Sequence, residues 1–280
     1  ELFVVHKIHQ PEQDSFSRYR CFDEPHYIHA KPGGGWSAVP MCTSVGESPP
    51  LPDGSLETLR KEGYLVVSNV FEAELLERCR SEVVSYLHKH KDGYFENVGG
   101  YVIPDHVRRS KLAENASLKD DAKLRKILDY LFEGESYRFC SHNDIGVNRI
   151  VHWHKDQLNG EQTRYQTVPI WRPAPNGDVH KILKVLIYLQ DHSDDDDSLQ
   201  LVPGSHTTPS YGTGGAIQLH PRLGDIIVFD QRITHRGMSD QVKTLRVLVS
   251  YGFGLNNIFT DNFERGTVER QNEQNDKLKL

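Results

Sequence analysis

Residues 137–156 read YRFCSHNDIGVNRIVHWHKD. The stretch mixes β-branched and aromatic residues with polar ones, which predicts strands over 137–142 and 145–154. Runs of the same character recur at 182–190, 198–202, 225–229 and 244–253, separated by Gly, Pro and Asp turns. Many short strands broken by turns indicate a sandwich or barrel. Side chains two apart on a strand share a face, so His154 and Asp156 are placed to grip one metal ion from a strand end. His235 supplies a second imidazole from far downstream. Two histidines and one carboxylate leave coordination positions open, as in non-haem Fe(II) oxygenases. Arg246 follows His235 by eleven residues and is placed to hold the acid tail of a co-substrate.

Upstream of the strands the pattern is helical. Leu56–Glu62 reads as a short helix capped by Ser55, and Tyr64–Val70 as a strand. Glu72–His88 carries Leu75, Leu76, Cys79, Val83, Val84 and Leu87 at helical spacing, and Leu118–Phe132 repeats the pattern with Leu124, Ile127, Leu128 and Leu131. Helices first and strands after predict a mainly β fold with helices packed on one sheet. Residues 1–53 contain the turn-rich KPGGG and ESPPLPDG and read as an irregular N-terminal extension packing on the core. The main domain is expected over 54–280, with a lid loop at about 157–181.

The chain has 280 residues, of which 26% are charged and 37% hydrophobic, a soluble globular balance. A net charge of -6 argues against nucleic-acid binding. No apolar run is long enough for a membrane helix. The sequence opens at Glu1, so a removed targeting segment would be invisible. Cys21, Cys42, Cys79 and Cys140 form no CxxC pair and read as reduced thiols, which favours a reducing intracellular compartment. The expected assembly is a monomer or homodimer. Asp194–Asp197 reads as a solvated turn.

Four His-x-Asp pairs compete for the metal. His90/Asp92 ends a lysine-rich helix, where the helix dipole favours histidine. His192/Asp194 opens the acidic turn, with no rigid strand beneath it. His142/Asp144 lies between apolar strand segments and is the real competitor. His154/Asp156 ends the long Val147–Trp153 strand candidate and precedes a polar loop, which suits a preorganised site open to solvent. The ligand pair is therefore assigned to His154 and Asp156.

Four blocks in order then carry a resemblance: WHKD at 153–156, LQLVPGSH at 199–206, GDIIVFDQRITHRG at 224–237, and Arg246. Together with EGYLVVSNVFEAELLERCR near the start, they resemble the phytanoyl-CoA dioxygenase-like branch of the Fe(II)/2-oxoglutarate-dependent oxygenases, over roughly residues 55–255. Gly237 and Asp197-Ser198 depart from the family's usual residues without removing a ligand. The resemblance implies a double-stranded β-helix, a jelly-roll of cupin type, with Fe(II) on His154, Asp156 and His235. It implies 2-oxoglutarate and O2 as co-substrates, ascorbate as a supporting reductant, and oxidation of a C–H bond with release of succinate and CO2. It also points to secondary metabolism. Asp156 argues against a halogenase, which has a small residue there. Arg246, set in an apolar strand, would bind the distal carboxylate of 2-oxoglutarate.

Asn148 and His152 share strand parity with His154, so an unbroken strand points both into the cavity. Asn148 is then a candidate for the co-substrate carboxylate and His152 for the substrate, with a structural strand amide and simple packing as the plainer alternatives. Arg164 and Arg172, with Tyr165, Trp171 and His180, make the loop basic and aromatic, which suits a small anionic metabolite. Hydroxylation, desaturation and oxidative ring closure all remain open. The competing classes are a catalytically silent cupin-like binding protein and a metal-dependent hydrolase or isomerase. The intact four-residue set weighs against the first, and the absence of further histidine ligands against the second.

Overall fold

The computed structural model describes residues 50–97, 99–158, 160–237 and 245–278, together with the backbone of three short strands before residue 40. The chain divides into two compact units, Glu1–Pro49 and Pro50–Leu280. The first holds β1 (Val4–Val5), β2 (His26–Ala30) and β3 (Trp36–Val39) in one antiparallel sheet, where the sequence had suggested irregular chain. Of the expectation that residues 1–53 pack on the core, residues 50–53 belong to the second unit, where Leu51 is buried in the core, and the packing of the rest lies outside the described residues.

In the second unit, α1 (Ser55–Glu62) and β4 (Tyr64–Val67) are followed by α2 (Ala73–Lys89), β5 (Phe95–Asn97) and β6 (Gly100–Pro104). Gly54, not Ser55, occupies the cap of α1, at φ 83°. The short α3 (Ala113–Ser117) and α4 (Ala122–Leu131) come next. Asp121 caps α4 by accepting from the N–H groups of Lys123 and Leu124, so the predicted helix over 118–132 begins later than its apolar pattern. Then follow β7 (Tyr137–Val147), α5 (Gly160–Arg164), β8 (Ile182–Tyr188), β9 (Gln200–Leu201), β10 (Ile217–Gln218), β11 (Ile226–Asp230), β12 (His235–Arg236), β13 (Val247–Leu255) and α6 (Ile258–Lys277).

A seven-stranded antiparallel sheet runs β4-β11-β8-β13-β7-β6-β5, and a three-stranded one runs β10-β9-β12. Together they form the jelly-roll. The strand β8 shows why its sequence is apolar almost throughout. Leu183, Val185, Ile187 and Leu189 face the core under α2 and α4, while Leu186 and Tyr188 join Ile227 and Phe229 on the other face. Both faces are buried, so alternation is lost. Lys184 is the exception on that second face, and it lines a cavity there. In register across the sheet, Leu186 pairs with Ser250, which pairs with Asp144.

Two expectations are corrected. The strand through residue 142 does not pause before 145; β7 is continuous over Tyr137–Val147 and then stops. No strand continues over 148–153. Asn148 turns the chain at φ 52°, a left-handed conformation that asparagine tolerates. Its side-chain oxygen accepts from Arg246 N–H at 2.8 Å, which ends the ladder in place of a further residue. The chain also passes tightly here: a Cβ on Gly100 would lie 2.2 Å from the carbonyl of Val147. The twenty-residue α6 has no counterpart in the sequence reading. It lacks an apolar stripe, and its signals are the Asn257 cap and Asp261 in the first turn. Cys79 and Cys140 are buried free thiols. Among the described residues no helix is long and apolar enough to cross a membrane.

Candidate metal centre

The centre is built on a two-residue bridge rather than on a strand end. His154 N–H donates to His235 carbonyl and His235 N–H to His154 carbonyl, each at 2.9 Å. This reciprocal pair sets the two rings side by side, with centroids 4.2 Å apart. Each ring is then turned by its own chain. His154 Nδ1 lies 2.7 Å from His152 carbonyl, and His235 Nδ1 lies 3.1 Å from Ile233 carbonyl. A carbonyl can only accept, so Nδ1 carries the proton in both rings and Nε2 offers its lone pair. Such a hydrogen bond from the far ring nitrogen is the usual support for a metal-binding histidine.

Asp156 opens a 3-10 turn, Asp156–Leu158, directly after the bridge. Its Oδ1 is 3.4 Å from His154 Nε2 and its Oδ2 is 3.9 Å from His235 Nε2. Donor atoms from all three residues lie within 4.8 Å of one another. Burial pushes Asp156 upward, but Lys184 and the two imidazoles outweigh it and hold the carboxyl well below its ordinary range. Burial, followed by the neighbouring His154, holds His235 well below the ordinary histidine value. A carboxylate and a neutral imidazole are the forms that bind metal. The donor set therefore fits a divalent ion of the Fe(II) type, with one side of it facing a cavity.

Lys155 lies between the two ligands in sequence and points away from them. It is fully buried, and its ammonium donates to the carbonyls of Ser205 at 2.5 Å and Arg232 at 2.7 Å. This ties the ligand turn to the Pro-Gly-Ser-His loop and to the approach of β12.

The cavity is about 400 Å³, and all three candidate ligands line it together with Arg246. Arg246 is 3% exposed. Its Nη1 donates to Asp197 carbonyl at 3.0 Å and its Nη2 to Arg149 carbonyl, and among the described residues no carboxylate forms an ion pair with it. A buried guanidinium with only carbonyl partners retains charge for an anion.

The other sequence candidates are distributed differently. Asn148 is not on a strand, so the parity argument fails for it. Its side chain holds Arg246 by the backbone, and Asn148 N–H donates back to Arg246 carbonyl at 2.9 Å. His152 loses the same argument, yet it lines the cavity as an exposed residue. Arg164 is exposed on α5 and pairs with Glu269 of α6, away from the cavity lining. Arg172 is exposed and also absent from that lining. The stretch 157–181 is anchored: Ile170 and Ala174 are buried against Phe259 and Phe263, and Trp171 Nε1 donates to His206 carbonyl at 3.0 Å. His142 and Asp144, the rejected metal pair, line the same cavity on β7.

Sequence reasoning missed Lys184. Its ammonium donates to Asp156 Oδ2 at 3.0 Å and stands 5.9 Å from the centre of the Phe229 ring. The signal was present: a lone charge inside ILKVLIYL needs a buried partner, the argument already applied to Arg246. Arg149, Arg270 and Gln274 also line the cavity, the last two from α6.

The phytanoyl-CoA dioxygenase (PhyH) family matches residues 59–241 of the chain. No curated protein matches. Among solved structures, HygX from Streptomyces hygroscopicus with nickel and 2-oxoglutarate bound is 18% identical, covering 74% of this chain and 88% of its own at a TM-score of 0.56. AviO1 from Streptomyces viridochromogenes Tue57 is 17% identical over 72% of this chain and 94% of its own, TM-score 0.57. EctD from S. alaskensis with 2-oxoglutarate and 5-hydroxyectoine is 16% identical over 75% and 78%, TM-score 0.57. At these identities the likeness is one of fold.

Proposed function

The chain belongs to the phytanoyl-CoA dioxygenase family of iron- and 2-oxoglutarate-dependent oxygenases, and we propose that it oxidises an unactivated C–H bond of a small anionic metabolite. One observation carries the reading. Two imidazole Nε2 atoms and one carboxylate converge within 4.8 Å, in a cavity that also holds a buried arginine with no ion-pair partner among the described residues.

His154, Asp156 and His235 would hold Fe(II). When bound, the iron supplies the oxidising chemistry: 2-oxoglutarate and O2 yield succinate and CO2 while one C–H bond of the substrate is oxidised. The chain supplies the remainder. Arg246 would take the distal carboxylate of 2-oxoglutarate through its planar fork, which lysine cannot reproduce. Lys184 keeps the Asp156 carboxylate ionised and fixes the orientation of Oδ2. Leu186, Leu199 and Leu248 line the cavity and limit water, which strengthens the polar contacts within it. HygX and EctD each hold 2-oxoglutarate in their structures, which supports the same co-substrate for this cavity.

Hydroxylation is the simplest outcome, adding one oxygen atom of O2 to the substrate. Desaturation and ring closure use the same ligands. The test is succinate formation from 2-oxoglutarate with Fe(II) and ascorbate. Wild-type protein should release succinate even without its substrate; His154→Ala and Asp156→Ala should abolish that, and Arg164→Ala should leave it intact. Release that survives loss of Asp156 overturns the assigned ligand set, and none from the wild type overturns the oxygenase reading in favour of a silent binding protein.

A further inference from the structure

Beyond the metal ligands the cavity carries a second polar group that the proposed mechanism does not use. His142 and Asp144 stand on the cavity face of β7, 6% and 8% exposed. Arg270 reaches in from α6 and donates to Asp144 Oδ2 at 2.9 Å. Ser250 sits beside Asp144 in register, and its hydroxyl donates to Asp144's main-chain carbonyl rather than to the carboxylate. Arg149 crosses the open surface left by Gly146, against which its side chain would meet a Cβ at 3.8 Å.

This group is incomplete as it stands. Asp144 Oδ1 and His142 Nδ1 are both buried with no hydrogen-bond partner among the described residues. Burial alone would push the Asp144 carboxyl upward, but Arg270 and the other cations nearby hold it at about 2. It is thus a buried anion with one oxygen unused, an arrangement that costs free energy unless a donor arrives. Charge also requires a ligand. Arg149, Lys184, Arg246 and Arg270 line the cavity against Asp144, Asp156 and Glu161. A divalent metal with doubly charged 2-oxoglutarate leaves that excess of one positive charge unchanged.

We propose that His142, Asp144, Arg149 and Arg270 form the substrate-recognition end of the cavity, selecting a small carboxylate that bears a hydroxyl or amine donor. The substrate's carboxylate meets Arg149 and Arg270, and its donor meets the Asp144 carboxylate. A hydroxy acid, with its single negative charge, balances the cavity; an amino-acid zwitterion leaves the excess and sets its ammonium on the Asp144 carboxylate. This inference rests on the oxygenase reading, because it places the substrate next to the proposed iron.

The experiment uses the full chain loaded with Mn(II), a redox-silent stand-in, and 2-oxoglutarate. Thermal shift and calorimetry are run with three sets of probes matched in carbon number: 2-hydroxycarboxylates, α-amino acids and unsubstituted carboxylates. At least one donor-bearing set should bind, and at least tenfold more tightly than the unsubstituted acids. Asp144→Asn and Arg270→Gln should each weaken that binding at least tenfold. Hydroxy acids and amino acids are told apart by which set responds. Each variant is also titrated with Mn(II) and 2-oxoglutarate. Where a variant loses that binding as well, Arg270→Lys, which keeps a cation beside Asp144, replaces it. Equal binding of all three sets, no binding of any, or variants that bind like the wild type overturns this inference alone. Failure of the wild type to bind Mn(II) with 2-oxoglutarate overturns the oxygenase reading beneath it.

Discussion

Asp156→Asn removes more than a metal ligand. In metal-free protein it leaves the Lys184 ammonium without its counter-charge. The pair is 3.0 Å apart with side chains 12% and 10% exposed, so solvent screens it little. Unit charges at that spacing attract by about 5 kcal/mol at an effective dielectric constant of about 20. Desolvation opposes much of this, and breaking one side of such a pair costs about 3–5 kcal/mol. Asparagine still offers the ammonium a carbonyl, so a loss of about 3 kcal/mol is expected. In a fold of this size that lowers the melting temperature by about 6–12 °C. Lys184→Met in the Asp156→Asn background should recover most of the loss, because neither charge is then stranded. The assay is urea unfolding of the two single variants and the double variant in EDTA. A coupling energy of about 2–3 kcal/mol is expected from the cycle. A coupling below about 0.5 kcal/mol would refute the argument, because the ammonium would then not sit at Asp156.

Three further outcomes follow from the geometry. Arg246→Lys keeps the charge but loses the fork, so the KM for 2-oxoglutarate in the succinate assay should rise about tenfold or more, with full loss of saturation in Arg246→Gln. Asn148→Ala removes the acceptor for Arg246 N–H and leaves a left-handed residue without its favoured side chain; it should cost about 2 kcal/mol in urea unfolding and raise the same KM, while Asn148→Gly relieves only the backbone part. Acid should destabilise the fold early. Burial holds His106, His142 and His180 at about 3, so the unfolded chain takes up protons first as pH falls. Their stabilisation is complete above about 6.5 and is lost toward 3, at up to about 4 kcal/mol per pH unit for the three. A melting temperature unchanged between pH 7 and 5.5 would contradict this.

The sequence disclosed the ligand types better than their setting. His154, Asp156 and His235 do converge, yet not by strand alternation, since the chain leaves the sheet at Asn148. An asparagine in the left-handed region looks like any polar strand residue until its carbonyl partner is known. Arg164 and Arg172 were read as substrate contacts because they make a long loop beside the metal ligands basic. The loop is instead anchored over α6, which turns both outward. That helix was illegible for a related reason. It buries few apolar residues and contributes Arg270 and Gln274 to the cavity, so its pattern records the needs of a site rather than of a core. Lys184 and Arg246, by contrast, each stood out as a charge in an apolar run, Lys184 within β8 and Arg246 just before β13, although only Arg246 was read that way.

The paired amide bonds between His154 and His235 act as a stitch across 80 intervening residues. Whatever enters or leaves the chain between them, in the turn-rich stretch after Asp156 above all, is looped out from a closed knot. The reagent that does the chemistry and the walls that choose its target can therefore diverge separately. The ligand side chains stand on a main-chain scaffold that substitution leaves in place, whereas the proposed recognition groups come from β7, the chain just after it and α6, outside the stitched segment.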